Sequence, residues 1–134
     1  MAVFDDLSPY DENDTTGPAL RVGWLGRGSS FPTGEIDPGV VDNLIRLAAT
    51  PVNLMRGLHY CEFCDAESPI RIATPFGPKG RVALGNGEIH VRHASGQLYV
   101  APTLVIHYIT AHDYLPPAEF REAVLARVWP DEST

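Results

Sequence analysis

Tyr60-Cys61-Glu62-Phe63-Cys64 carries both cysteines of the 134-residue chain, and His107-Tyr108-Ile109-Thr110-Ala111-His112 carries two of its five histidines. Cysteines with two residues between them fit a tight backbone knuckle whose amides donate to the sulfurs, favouring the thiolates and aiming both at one ion. The histidine pair lies on a stretch that reads as a helix. Two thiolates and two imidazoles complete a tetrahedral shell, so Cys61, Cys64, His107 and His112 are the expected metal ligands and Zn2+ the expected cofactor. Residues five apart are turned by about 140° on an ideal helix, so both histidines face one ion only if the helix loosens at its end. Asp113 and Pro116-Pro117, just downstream, supply a reason for such loosening. Should one of the pair not ligate, His59, His90 and His93 are the replacements. His59 adjoins the knuckle, and the other two lie on the strands that follow it.

Outward from this pair, the chain reads as short elements with long connections. Asp37 suits an N-cap, Pro38 the first helical position, and Val40, Val41, Leu44, Ile45 and Ala48 recur at helical spacing until Thr50-Pro51. Ahead of that helix, Leu20 to Leu25 reads as a short strand around Trp24. After the knuckle come strands at Ile70 to Ala73 and Arg81 to Leu84, a hairpin turn at Gly85-Asn86-Gly87, a return at Glu88 to Arg92, and a last antiparallel strand at Gln97 to Val100. Pro102 is expected to open a helix running through His112, and Pro117 another running to about Val128, with Phe120, Val124, Leu125 and Val128 buried. The expected fold is a zinc-stabilised α+β domain: a small antiparallel β-meander packed on two C-terminal helices and one N-terminal helix. Residues 1–19 are expected to form an acidic extended arm, 20–129 the single domain, and 130–134 an acidic tail.

Composition sets the limits. With 44% hydrophobic and 20% charged residues the chain has ordinary globular composition, and its length fits one domain. Twelve prolines and twelve glycines imply much loop, and a loop-rich domain gains from a metal clip. The net charge of −7 is concentrated at the ends: Asp5, Asp6, Asp11, Glu12 and Asp14 in the first fifteen residues, Asp131 and Glu132 in the last four. What remains is ten acidic and ten basic residues. No basic stripe is present to neutralise a row of phosphates, which weighs against nucleic acid. The first residues lack a charged and apolar leader pattern, and no apolar run approaches the ~20 residues of a membrane span. A cytoplasmic protein without membrane attachment is the expectation. In a reducing compartment, C-x2-C reads as a ligand pair before it reads as a disulfide.

The order of knuckle, strands and helix resembles the treble-clef and related zinc fingers. Two features differ: residues 65 to 106 separate the ligand pairs, and the histidines stand late in their helix. The segments Leu58-His59-Tyr60-Cys61-Glu62-Phe63-Cys64, Gly85-Asn86-Gly87-Glu88-Ile89, Tyr99-Val100-Ala101-Pro102 and His107-Tyr108 through Pro117, with Phe120, are similar to a small uncharacterised bacterial domain family. The similarity covers residues 54 to 125, together with Leu7-Ser8-Pro9-Tyr10. It implies the four-ligand grouping and no reaction.

Four protein ligands leave no open position on a tetrahedral ion. The leading expectation is therefore a non-catalytic module that binds another protein, with no catalytic residue assigned and no oligomeric state fixed by the sequence. The alternative is a metal-dependent hydrolase or nuclease in which one histidine is not a ligand, water takes its place, and Glu62 or Glu88 acts as base. A third reading is thiol redox chemistry at C-x2-C, although Asp65-Ala66-Glu67-Ser68-Pro69 does not supply the helix start that a thioredoxin-like motif requires.

Overall fold

The computed structural model describes residues 3–10, 18–54, 59–67, 69–127 and 129. Asp11, Glu12, Asp14, Leu58, Val128, Asp131 and Glu132, which entered the sequence reading, lie outside the described residues.

Hydrophobic periodicity and punctuation place the first helix, α1 (Pro38–Ala48), where expected. The Asp37 carboxylate accepts from the Gly39 N–H at 2.8 Å, satisfying one of the free amides of the first turn. Val40, Leu44 and Ala48, one turn apart, are its fully buried side.

Among the described residues there are six strands, β1 (Pro9–Tyr10), β2 (Ala19–Arg21), β3 (Ile70–Ala73), β4 (Arg81–Leu84), β5 (Glu88–Arg92) and β6 (Leu98–Pro102), with alternating burial clearest in β3 and β4. They form two sheets, one of order β1-β2-β6-β5 and a two-stranded one of β3 and β4. β5 and β6 are antiparallel with Glu88 opposite Pro102 and Arg92 opposite Leu98, whereas β2 joins β6 in parallel. β6 is central, and every one of its residues is buried, as a strand covered on both faces requires.

Several details differ from the sequence reading: β2 ends at Arg21 rather than running to Leu25, and Leu125, expected to be buried on the last helix, is 47% exposed, Ala123 taking the inward place beside Phe120 and Val124. The Gly85-Asn86-Gly87 stretch does not join paired strands, because β4 pairs with β3 and β5 with β6. Gly85 has φ +118, its N–H donates to Thr103 Oγ1, its carbonyl accepts from the His59 N–H, and a Cβ there would lie 2.5 Å from the His59 carbonyl oxygen. The glycines thus serve a crossing between sheets that needs close backbone approach, rather than a two-residue hairpin. Pro102 ends β6 instead of opening a helix. The helix α2 (Val105–His112) begins three residues later, and α3 (Ala118–Leu125) has Pro117 as its N-cap.

The inner face of the main sheet, through Ile89, Val91, Tyr99 and Ala101, packs with Val40, Leu44, Ile106, Phe120 and Val124 of the helices into the principal core. Its outer face carries a second cluster of Tyr10, Ala19, Trp24, Leu98 and Val100, against which Phe4 packs. Residues 3–10 are tied down along that face. The Asp6 carboxylate accepts from the Tyr114 hydroxyl at 2.6 Å and the Gly23 N–H at 2.9 Å. The Arg21 guanidinium lies over the Phe4 ring, 3.5 Å from its centroid, and donates to the Pro9 carbonyl.

Among the described residues, no helix is long and apolar enough to cross a membrane.

Candidate metal centre

The knuckle is positioned from two sides. On its approach, His59 is bonded to Gly85 as described above, which aligns the chain entering Cys61 with the start of β5. On its far side, the Arg27 N–H donates to the Glu62 carboxylate at 3.0 Å. Within it, the Phe63 N–H points at Cys61 Sγ at 3.4 Å, the amide-to-sulfur contact a cysteine knuckle offers. The Phe63 ring is wedged between Phe31 at 5.4 Å, Tyr108 at 5.8 Å and His112 at 5.7 Å between centroids. These tilted and edge-to-face contacts fix the knuckle against α2.

α2 supplies the other side. His107 lies in its first half and is 9% exposed; His112 is its last residue. The helix stays regular through His112 and ends at the next residue. The Asp113 N–H bonds to the Tyr108 carbonyl five residues back, the Tyr114 N–H reaches the same oxygen at 3.1 Å, and Asp113 is left-handed at φ 57. These bonds and the left-handed Asp113 close the helix directly after His112. The two imidazoles sit with centroids 5.1 Å apart and planes at 78°.

The result is a crossed arrangement. Cys61 Sγ lies 3.3 Å from His112 Nε2, and Cys64 Sγ lies 3.3 Å from His107 Nε2. All four potential ligand atoms fall within 4.8 Å of one another, close enough to hold a metal ion. Burial lowers the His107 pKa, with a further push from His112, which favours the neutral form that a ligand requires. Burial raises the Cys61 thiol against the opposing pull of the Phe63 amide. A cation would displace the proton from such a thiol.

A family of domains of unknown function, DUF7919, matches residues 2–125. The chain belongs to that family. No curated protein and no solved structure matches it. The matched span of the DUF7919 domain includes both halves of the cluster.

The remaining histidines of this DUF7919 domain stand outside the cluster. His90 Nε2 is 2.9 Å from Glu88, and His93 bridges Ser95 and Glu122; His59 is absent from the four-residue group. Glu88 is engaged elsewhere. It is 5% exposed and accepts from the Tyr10 hydroxyl on both oxygens at 2.9 Å, from Asn53 Nδ2 at 2.9 Å and from His90.

Sequence reasoning missed the run of edge-on rings from Tyr114 through Phe31 and Phe63 to Tyr108, which meets the cluster where Phe63 lies against His112 and Tyr108 beside His107. Only Phe63, inside the knuckle, carried a local signal. Phe31 and Tyr114 are brought in by pairings distant in sequence.

Proposed function

We propose that this chain holds one zinc ion in a closed Cys2His2 site that staples the knuckle to α2, in a non-catalytic module that binds another protein. The observation that carries the reading is the spread of the four ligand atoms. Zinc with Zn–S of about 2.3 Å and Zn–N of about 2.0 Å has sulfur–nitrogen edges of about 3.5 Å in a tetrahedron. The two edges here are 3.3 Å, and no pair in the cluster exceeds 4.8 Å. Two thiolates and two imidazoles suit zinc better than magnesium or calcium, which take oxygen ligands. Four protein donors leave no position for a reacting water, which favours a structural ion. The commitments of Glu88 to Tyr10, Asn53 and His90, and of Glu62 to Arg27, also favour this reading over a hydrolase using either as base.

Elemental analysis of chain purified without added metal tests this, on the wild type and on Cys61→Ser, Cys64→Ser, His107→Ala and His112→Ala. One zinc per chain in the wild type and none in any variant is the expected result. Zinc retained in either histidine variant would point to three protein ligands and a water position. A wild type without metal would sink the reading.

A further inference from the structure

From Pro69 to Gly87 the chain has two arginines, one lysine and no acidic residue, although acidic residues outnumber basic ones by 17 to 10 overall. This stretch contains the two-stranded sheet of β3 and β4. Its inner side, Ile70, Ile72, Val82 and Leu84, joins the principal core. On the other side Arg71 stands opposite Ala83, and Ala73 opposite Arg81. The four side chains therefore share one exposed face, with the arginines on one diagonal and the alanines on the other. Among the described residues, no partner engages the side chains of Arg71, Lys79 or Arg81. The small alanines leave both guanidinium groups open to an approaching anion.

The connection between the two strands is tightly bonded. The Thr74 N–H donates to the Gly80 carbonyl at 3.0 Å, the Gly80 N–H to the Gly77 carbonyl at 3.1 Å, and the Phe76 N–H to Thr74 Oγ1 at 3.3 Å. Lys79 is held here at φ 58, a left-handed conformation that glycine adopts freely and lysine does not. A third cation thus occupies a position where its side chain costs stability. Phe76 stands at the same tip, 48% exposed, with the Arg46 guanidinium stacked 4.4 Å from its ring centroid. It shares a groove of about 360 Å³ with Ala73 of the cationic face and Ile45 of α1.

We propose that this face binds a short, extended acidic segment of a partner protein, two alternate carboxylates of which meet Arg71 and Arg81 beside Lys79. The spacing fits. Diagonal positions on such a face are about 7 Å apart, as are alternate side chains of an extended segment, and guanidinium–carboxylate bonds are charge-assisted. An apolar residue after the second carboxylate reaches the groove at Phe76, giving the pairing of arginine with an aromatic ring that is enriched at interface centres. The size of the face favours a protein segment over nucleic acid. Four-residue strands span about 13 Å, and carboxylates stand at the margins: Asp65 and Glu67, exposed just before β3, and Asp42 in the wall of the groove. A row of phosphates continuing past the arginines would meet these, whereas two carboxylates need only the face itself. This rests on the interaction-module reading, which it deepens, and does not depend on the metal.

The test titrates the full 15N-labelled chain with an acetylated peptide that alternates glutamate and valine and ends in leucine, following backbone amides by NMR. Saturable shifts centred on Arg71, Ala73, Arg81 and Ala83 are expected. Binding should weaken at least about tenfold for the same peptide with glutamine in place of glutamate, and for Arg71→Glu combined with Arg81→Glu, at unchanged melting temperature. Lys79→Gly separates charge from fold: it should weaken binding about threefold while keeping or raising the melting temperature, because glycine relieves the left-handed strain. No shifts at about 1 mM peptide, shifts centred elsewhere, or equal binding of the glutamine peptide would overturn the inference. So would an oligothymidylate that shifts the same amides at lower concentration than the peptide, since the face would then belong to nucleic acid. Concentration-dependent dimerisation abolished by the double variant would overturn it too, assigning the face to a second copy of the chain. Peptide bound at β3 and β4 by a chain that carries no zinc would support this inference and sink the metal reading alone. A zinc-loaded chain whose β3–β4 face stays silent would sink this inference and leave the module reading to another surface.

Discussion

Cys64 Sγ and His107 Nε2 stand 3.3 Å apart, so the second cysteine of the knuckle meets the first histidine of α2, while Cys61 meets His112. Without a shared ion these are two separate thiol–imidazole pairs, each worth about 1 kcal/mol, and losses at separate pairs add. Around one ion they do not add. Removing any ligand opens the shell and releases the metal, so a second removal has little left to cost. Cys64→Ser alone is expected to lose about 4 kcal/mol or more, and Cys64→Ser combined with His112→Ala nearly the same. Urea unfolding of the two single variants and the double variant checks this, and additive losses of about 1 kcal/mol each would favour the metal-free pairs. A chelator should lower wild-type stability to the level of the variants and leave the variants unmoved.

Gly85→Ala is the second prediction. At φ +118 an L side chain is strained, and here the new Cβ would meet the His59 carbonyl oxygen at 2.5 Å. The clash is with backbone and has no rotamer to escape into. Strain and displacement together should cost about 2–4 kcal/mol. Because His59 leads directly into Cys61, the variant should also bind zinc more weakly, whereas Gly96→Ala has φ +97 with nothing within 4 Å of its Cβ and should cost stability alone. Thermal melts with a zinc competition titration separate the two effects; equal zinc affinity in both variants would break the link from Gly85 to the knuckle.

Much of this architecture was legible because its signals are local. Asp37-Pro38 and the spacing of Val40, Leu44 and Ala48 determine α1 within eleven residues, and the lone C-x2-C and the late histidine pair identified the four residues that now stand together. What the sequence did not reveal are choices between partners of equal local merit. Alternation marks Leu20 and Val100 as strand residues but cannot say that β2 runs parallel to β6. Asn86-Gly87 favours a two-residue hairpin turn with positive φ, yet here the positive φ falls on Gly85 and the flanking strands pair with others. The outer cluster of Tyr10, Trp24 and Val100 and the buried Glu88 network depend on contacts across about 80 residues. No short-range pattern encodes such contacts.

Asp113 offers a test of how the last turn of α2 is held. It is a non-glycine residue at φ 57, closing a helix by a bond from its N–H to the Tyr108 carbonyl. Glycine adopts this conformation freely and alanine does not. Asp113→Ala should lose about 1 kcal/mol, and Asp113→Gly should be neutral or gain up to about 1 kcal/mol. Both keep His112 in place, so one zinc per chain is expected in each. Equal melting temperatures for the two variants would mean that the left-handed conformation is not retained in solution.

The Glu88 network predicts a pH dependence separate from the metal. Burial alone would raise this carboxyl, but hydrogen bonds from His90, Asn53 and Tyr10 outweigh it and hold the folded-state pKa below the ordinary 4.5. A depressed folded pKa contributes stability that is present above the unfolded value and is lost as pH falls through the folded value. Glu88→Gln keeps the size and removes the charge that the three donors face. The variant should be less stable than wild type by about 1–3 kcal/mol near neutral pH, and the gap should close as pH is lowered from about 5 to about 3. Tyr10→Phe, which deletes the hydroxyl that spans both carboxylate oxygens, should reduce the same slope without abolishing it, since Asn53 and His90 remain. Denaturant titrations at several pH values on wild type and both variants decide the matter. A wild-type-to-Gln gap that stays constant from neutral to acid pH would show that Glu88 acts through shape and not through charge.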